Sequence, residues 1–192
     1  MKLRKIKHIL KITILCIAVL ALVLPATSCS RQDDAQSAEI VKGLIERSYT
    51  LNVVYYGTGL PIDEEKHIEG EYYEVASDAP FRIRNDLIVE TKAVFSRELA
   101  EGLLGAYLDG YSNMGVVVYA RYLTGPDGYL TAYKGYDNVS DEITKYDTST
   151  VQIIKNRKNK IVASVSTADG SEKIEVTLIY ENDAWRIDSP TL

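Results

Sequence analysis

Apolar positions change their spacing along the chain, and the changes mark out its elements. From Ala38 to Tyr49 they fall at Val41, Leu44, Ile45 and Tyr49, with Ser48 in the same stripe, which predicts a helix with one buried face. Leu51 to Tyr56 reads as a strand, ended by Gly57-Thr58-Gly59-Leu60-Pro61. Ile62 to Gly70 is acidic and reads as irregular; Tyr72–Val75 and Phe81–Arg84 are short extended pieces. Leu87 to Val94 predicts a helix started by Asn85 or Asp86. Ser96 is placed to cap a second helix with the stripe Leu99, Leu103 and Tyr107. After Gly110 the period falls to two. Val116 to Leu123 is nearly all apolar, and Gly125-Pro126-Asp127-Gly128 has the composition of a tight turn. Tyr129, Thr131 and Tyr133 then alternate with Leu130, Ala132 and Lys134. Val151 and Ile153, then Ile161, Ala163 and Val165, then Ile174, Val176, Leu178 and Tyr180 continue the pattern, separated by turns at 156–159 and Asp169-Gly170. Trp185 and Ile187 close it. Helices followed by a long meander predict a single α+β domain over residues 38–192, with N-terminal helices packed on one face of a curved antiparallel sheet.

The first 28 residues carry a different signal. Lys2, Arg4, Lys5, Lys7 and Lys11 form a basic start, and Ile12 to Leu24 is apolar except for Thr13. Those 13 residues are fewer than the roughly 17–25 that a spanning helix requires, so the segment reads as a signal peptide. Pro25-Ala26-Thr27-Ser28-Cys29 follows. This end resembles the lipobox of bacterial lipoproteins, which implies cleavage before Cys29, acylation of Cys29 and anchorage to the outer face of the cell membrane. Ala26 stands where that motif usually has Leu, and Ala26-x-Ser28 also suits ordinary signal peptidase, the alternative being a secreted chain with a free Cys29. Residues 29–37 read as a polar tether. The only other cysteine, Cys16, lies within the signal segment, so the exported chain has no disulfide.

Charge narrows the function classes. The net charge is −5, but the signal segment holds five of the 22 Lys/Arg and none of the 27 Asp/Glu, leaving −10 on the rest. An acidic body of this kind does not suit nucleic-acid binding, which needs clustered positive charge. No nucleophile elbow, zinc helix, P-loop or dinucleotide fingerprint is present in the sequence. His67, in a run of charged residues, reads as a surface side chain. Asp137-Asn138-Val139-Ser140-Asp141-Glu142 is oxygen-rich but departs from calcium-loop spacing and reads as a solvated turn. No catalytic residue, metal or cofactor is expected. Lys155, Arg157, Lys158 and Lys160 crowd one hairpin tip, either to meet an anionic polymer or headgroup surface or to keep a sheet edge from pairing.

Tyrosine is the informative excess: 14 Tyr stand against 2 Phe. Its ring suits apolar contact and its hydroxyl suits a wet or polar setting. Tyr119, Tyr122, Tyr129, Tyr133 and Tyr136 gather around the 125–128 turn and are the candidate partner-binding residues. Two readings stand side by side, a binding face or a strand surface that is simply rich in a good strand former.

The order of Tyr72-Tyr73-x-Val75, Asp86-Leu87, Val94-Phe95-Ser96-x-Glu98-Leu99, Asp127-Gly128-Tyr129 and Trp185-x-Ile187-Asp188 resembles the DL-endopeptidase inhibitor (IseA-like) family of Gram-positive bacteria. It is similar also to NTF2-like and cystatin-like envelope lipoproteins. The resemblance covers roughly residues 68–190 and rests on packing residues rather than a chemical signature. It implies a non-enzymatic protein that binds the catalytic domain of a cell-wall hydrolase and blocks peptidoglycan cleavage. The alternatives are an NTF2-like small-ligand binder or cryptic enzyme, and a structural envelope module.

Overall fold

The computed structural model describes residues 33–113, 116–136, 140 and 142–191. The signal segment and Cys29 lie outside them. Gln32–Leu192 form one compact unit whose core is built from its own residues, so it is a folding unit in its own right.

The chain is α+β, as its periodicity predicts. In chain order it forms α1 (Asp34–Tyr55), β1 (Ile62–Glu69), β2 (Tyr72–Val75), α2 (Arg84–Val94) and α3 (Arg97–Leu104), which widens into a π-helical turn at Gly105–Asp109. Then come β3 (Tyr111–Asn113), β4 (Val116–Val118), β5 (Tyr122–Thr124), β6 (Leu130–Tyr133), β7 (Tyr146–Arg157), β8 (Lys160–Thr167), β9 (Lys173–Glu181) and β10 (Ala184–Ile187). The strands form two four-stranded antiparallel sheets, ordered β1-β2-β6-β5 and β10-β9-β8-β7, with β3-β4 as a separate ribbon. The single curved sheet of the sequence reading is thus divided, because β6 returns to pair with β2 before the last meander begins. No helix among the described residues is long and apolar enough to cross a membrane.

The second sheet is the simpler one. Ile161, Ala163 and Val165 on β8 stand opposite Leu178, Val176 and Ile174 on β9, so the alternation in sequence becomes one apolar face. Against it lies α1, whose Val41, Leu44, Ile45, Leu51, Val54 and Tyr55 are buried. This helix is longer than its sequence suggested at both ends. Asp33 caps it, its carboxylate accepting from the Gln36 N–H at 2.6 Å, so residues 34–37 are helix rather than tether. At the far end Leu51 to Tyr55 continues the helix instead of forming a strand. Leu51, Val54 and Tyr55 stay in phase with Leu44 and Ser48, and burial outweighs the strand preference of Val53-Val54.

Other boundaries are set by long-range partners. The acidic 62–69 segment is a strand, not a loop, because β2 pairs with it across the Gly70 turn. Ser96 takes the N-cap position of α3, yet its hydroxyl makes no cap bond. Glu181 does the work from β9, accepting from the Arg97 N–H at 2.7 Å and placing a carboxylate at the helix N-terminus. Arg47 on α1 forks onto Glu90 on α2 at 2.7 and 2.9 Å, and that pairing holds the Glu90 carboxyl below its usual range.

Candidate functional site

The antiparallel register of β2 and β6 sets Tyr72 opposite Tyr133, with ring centres 5.2 Å apart. Tyr119, in the stretch before β5, stacks on Tyr133 at 5.8 Å with planes 30° apart. The Tyr72 hydroxyl donates to the Ala120 carbonyl at 2.6 Å and so fixes the stretch that carries Tyr119. Leu123 on β5, opposite Thr131 on β6, continues the same face. These side chains line a cleft of roughly 680 Å³, within the size range of ligand sites. Its walls are the β1–β2 turn, with Ile68, Glu69 and Glu71, and the β5–β6 turn at Gly125-Pro126. Tyr119 is 59% exposed, and Ile68 and Leu123 are exposed beside it. An exposed aromatic and aliphatic row with two carboxylates at its rim is suited to contact, by ring stacking and apolar burial.

Glu74 lies on the same face, two residues from Tyr72, but is buried. Lys66 Nζ reaches it at 2.7 Å and Arg82 Nη2 at 3.1 Å. The Arg82 guanidinium also lies 4.0 Å from the centre of the Tyr129 ring. Tyr129 therefore belongs to this charge cluster, half-buried against Arg82.

The remaining candidate tyrosines face inward. Tyr122 is fully buried and touches no solvent, which corrects its assignment to a binding face. It stands opposite Ala132, on the core side of the sheet. Its hydroxyl donates to the Val54 carbonyl at 2.7 Å and accepts from the Leu60 N–H at 3.0 Å. Tyr136 packs against Tyr107 at 5.9 Å and against the core. Tyr107 in turn meets Tyr55 at 5.1 Å and Tyr56 at 5.6 Å. Thr91 gives its proton to the Leu87 carbonyl, so the Tyr55 hydroxyl donates to Thr91 Oγ1, at 2.6 Å.

These buried rings have a structural task that the sequence did not reveal. The last four carbonyls of a helix lack partners inside it. At the end of α1, Asn52 O accepts from the Tyr56 N–H and Val53 O from the Gly57 and Gly59 N–H groups. Val54 O accepts from Tyr122, and Tyr55 O from Arg121 Nη1 at 2.9 Å. Arg121, buried to 4% exposure, also donates through Nη2 to Gly57 O at 2.7 Å. The five candidate tyrosines thus divide into two on the cleft (Tyr119 exposed, Tyr133 half-buried), a charge-stacked one (Tyr129), the fully buried Tyr122 and Tyr136, half-buried against the core.

Burial shifts the phenols of Tyr55, Tyr107 and Tyr122 upward, since the charged form loses its hydration. Tyr122 rises to about 12 despite the opposing pull of Arg121, and Tyr55 and Tyr107 are raised above the usual range mainly by burial. A phenol raised on folding contributes stability that is complete below its unfolded value, about 10, and is lost as pH climbs through the folded one. Alkaline titration followed by ultraviolet absorbance should therefore split. An early group should ionise with the circular dichroism unchanged, and a late group should ionise together with its loss. A single early transition with the fold intact would show that the interior rings are not held as described.

A second hollow, roughly 490 Å³, opens between the end of α1 and α3, lined by Tyr56, Phe95, Leu99, Ala106, Tyr107 and Pro190 among others. His67 stands exposed on β1, its Nε2–H donating to Gly70 O at 2.7 Å and its ring edge-on to Tyr73 with centres 5.2 Å apart. Asp137, Asn138, Val139 and Asp141 of the oxygen-rich stretch, like Cys29, lie outside the described residues. Among those that are described, no cluster of three or more His, Cys, Asp or Glu is arranged to hold a metal ion. No family model and no curated protein matches this chain.

Proposed function

We propose that the chain is an extracytoplasmic, lipid-anchored binding module that blocks a cell-wall D,L-endopeptidase by occupying its catalytic domain. The observation that carries this reading is the Tyr72–Tyr133–Tyr119 row, three rings in contact at the mouth of a cleft, with Tyr119 exposed and the other two half-buried. Three further features support it. The leader ends in a lipobox-like Ala26-Thr27-Ser28-Cys29. The body carries −10, which speeds encounter with a basic partner. The order of packing residues resembles the IseA-like inhibitors.

The test is to mix the purified body with such hydrolases and follow muropeptide release. Inhibition at stoichiometric excess is expected, and unchanged turnover removes the proposal. Tyr119→Ala should weaken inhibition about 30-fold, the effect of losing one aromatic anchor worth about 2 kcal/mol. Because Tyr119 is 59% exposed, the unfolding midpoint should stay near that of the parent. Equal inhibition by parent and variant would place the contact elsewhere. The hollow beside α3 favours a second reading, a carrier of a small apolar ligand. Saturable binding of an apolar fluorescent probe, lost in Ala106→Trp and kept in Tyr119→Ala, would support that reading over the first.

A further inference from the structure

The β7–β8 hairpin ends in Lys155, Arg157, Lys158 and Lys160, all exposed. Arg157 and Lys160 stand directly opposite each other in the register, and Lys155 shares their face two residues away. Like charges facing across a strand pair destabilise it. None of the four side chains makes an ion pair with another described residue, although the body as a whole is strongly acidic. The cost is accepted at one spot, and its position is informative. Asn156, between these cations, donates to Asp34 Oδ1 at 2.9 Å and to Ser37 Oγ at 3.0 Å, in the first turn of α1. The basic tip therefore sits beside the point where the chain enters the domain. Cys29 is five residues upstream of Asp34, a reach of at most about 18 Å. One more feature belongs to the tip: a bulge between Ile153 and Lys155 leaves Ile154 out of register and 54% exposed.

We infer that this tip docks on the anionic surface of the lipid bilayer and serves as a second membrane contact beside the anchor. A basic patch adds an electrostatic contact with anionic lipid to the hydrophobic one that an acyl anchor makes. Headgroup phosphates supply the countercharge that Arg157 and Lys160 lack, and Ile154 lies where the interface begins. The two contacts together fix the orientation of the domain, which a single flexible tether does not. Here the anchor rests on the proposed lipidation of Cys29, whereas the affinity of the tip for anionic lipid does not.

The test replaces residues 1–29 with a histidine tag bound to nickel-chelating lipid, so that tip and lipidation are separated. Hydrogen exchange is followed on vesicles of phosphatidylcholine alone and of phosphatidylcholine with phosphatidylglycerol. On the anionic vesicles, amides around Lys155–Lys160 should exchange several-fold more slowly than on neutral ones. High salt should abolish the difference, as should the combined substitution Lys155→Gln, Arg157→Gln, Lys158→Gln and Lys160→Gln. Amides of β6 should not respond to lipid composition. Equal exchange at the tip on both vesicles, or slowing that survives the four substitutions, overturns the inference. Incorporation of labelled palmitate at Cys29 in cells tests the anchor by itself, and either result leaves the tip measurement interpretable.

Discussion

Replacing Arg121 by Met should lower the unfolding free energy by about 2–5 kcal/mol, since each buried carbonyl left without a donor costs about 1–3 kcal/mol. Two carbonyls, Tyr55 O and Gly57 O, would be left in the interior without donors. A favourable charge would also vanish from the C-terminus of α1, whose last turn holds no basic residue. The methionine fills much of the same volume, so the loss reports mainly on the hydrogen bonds and the charge. Urea unfolding followed by circular dichroism measures it, and the thermal midpoint should fall by on the order of 10 °C for a domain of this size. Arg121→Lys should fall between parent and Met, since one ammonium cannot span both carbonyls with the geometry of the guanidinium fork. A loss under about 1 kcal/mol for the Met variant would mean that water replaces the guanidinium freely and that the helix end is not closed by this side chain.

Arg121 also marks the boundary of what sequence pattern reveals. Alternation placed Ile161, Ala163 and Val165 on one face because each side chain on β8 answers only to its own sheet. The tight turn at 125–128 was equally legible, since Pro126 and Gly128 act locally: Gly128 N–H donates to Gly125 O at 3.0 Å, and Gly128 sits at φ +87°. The end of α1 was not legible. Leu51-Asn52-Val53-Val54-Tyr55 has strand-forming residues, and what keeps it helical are donors from 121 and 122, more than sixty residues away. The acidic β1 was missed for a related reason, being a strand through pairing with β2 rather than through its own composition. The tyrosines show both cases in one set. Tyr133 and Tyr72 reach the cleft face by register, which an alternation count anticipates in part, whereas Tyr122 is buried at a helix end and Tyr136 packs against Tyr107 and the core. A tyrosine excess in sequence thus records two demands at once, and only the sheet register separates them. Asp33 with Gln36 is a readable start signal for α1, masked in the sequence by a polar run before Ala38 that resembles a tether.

Gly59→Ala should cost about 3 kcal/mol, more than a left-handed glycine turn alone explains, because that backbone penalty is about 1–2 kcal/mol. Gly59 has φ +84°, and a Cβ there would lie 2.5 Å from Arg121 Nη2 and 2.8 Å from the Tyr122 hydroxyl. Nη2 holds Gly57 O just past α1 and the phenol holds Val54 O within its last turn, so the methyl group would push the guanidinium and the phenol from their carbonyls together. Gly128 supplies the internal control: it has φ +87°, yet a Cβ there meets nothing within 4 Å. Gly128→Ala should therefore show only the backbone penalty. Residues that act through one network are not additive, so Gly59→Ala should cost less in an Arg121→Met background than in the parent, with a coupling of about 1–2 kcal/mol. Urea midpoints of the four proteins give that coupling directly. If Gly59→Ala and Gly128→Ala lose the same amount, or if the cycle is additive, then Arg121 and Tyr122 do not hold the helix end as one unit, and the buried tyrosines need a different explanation.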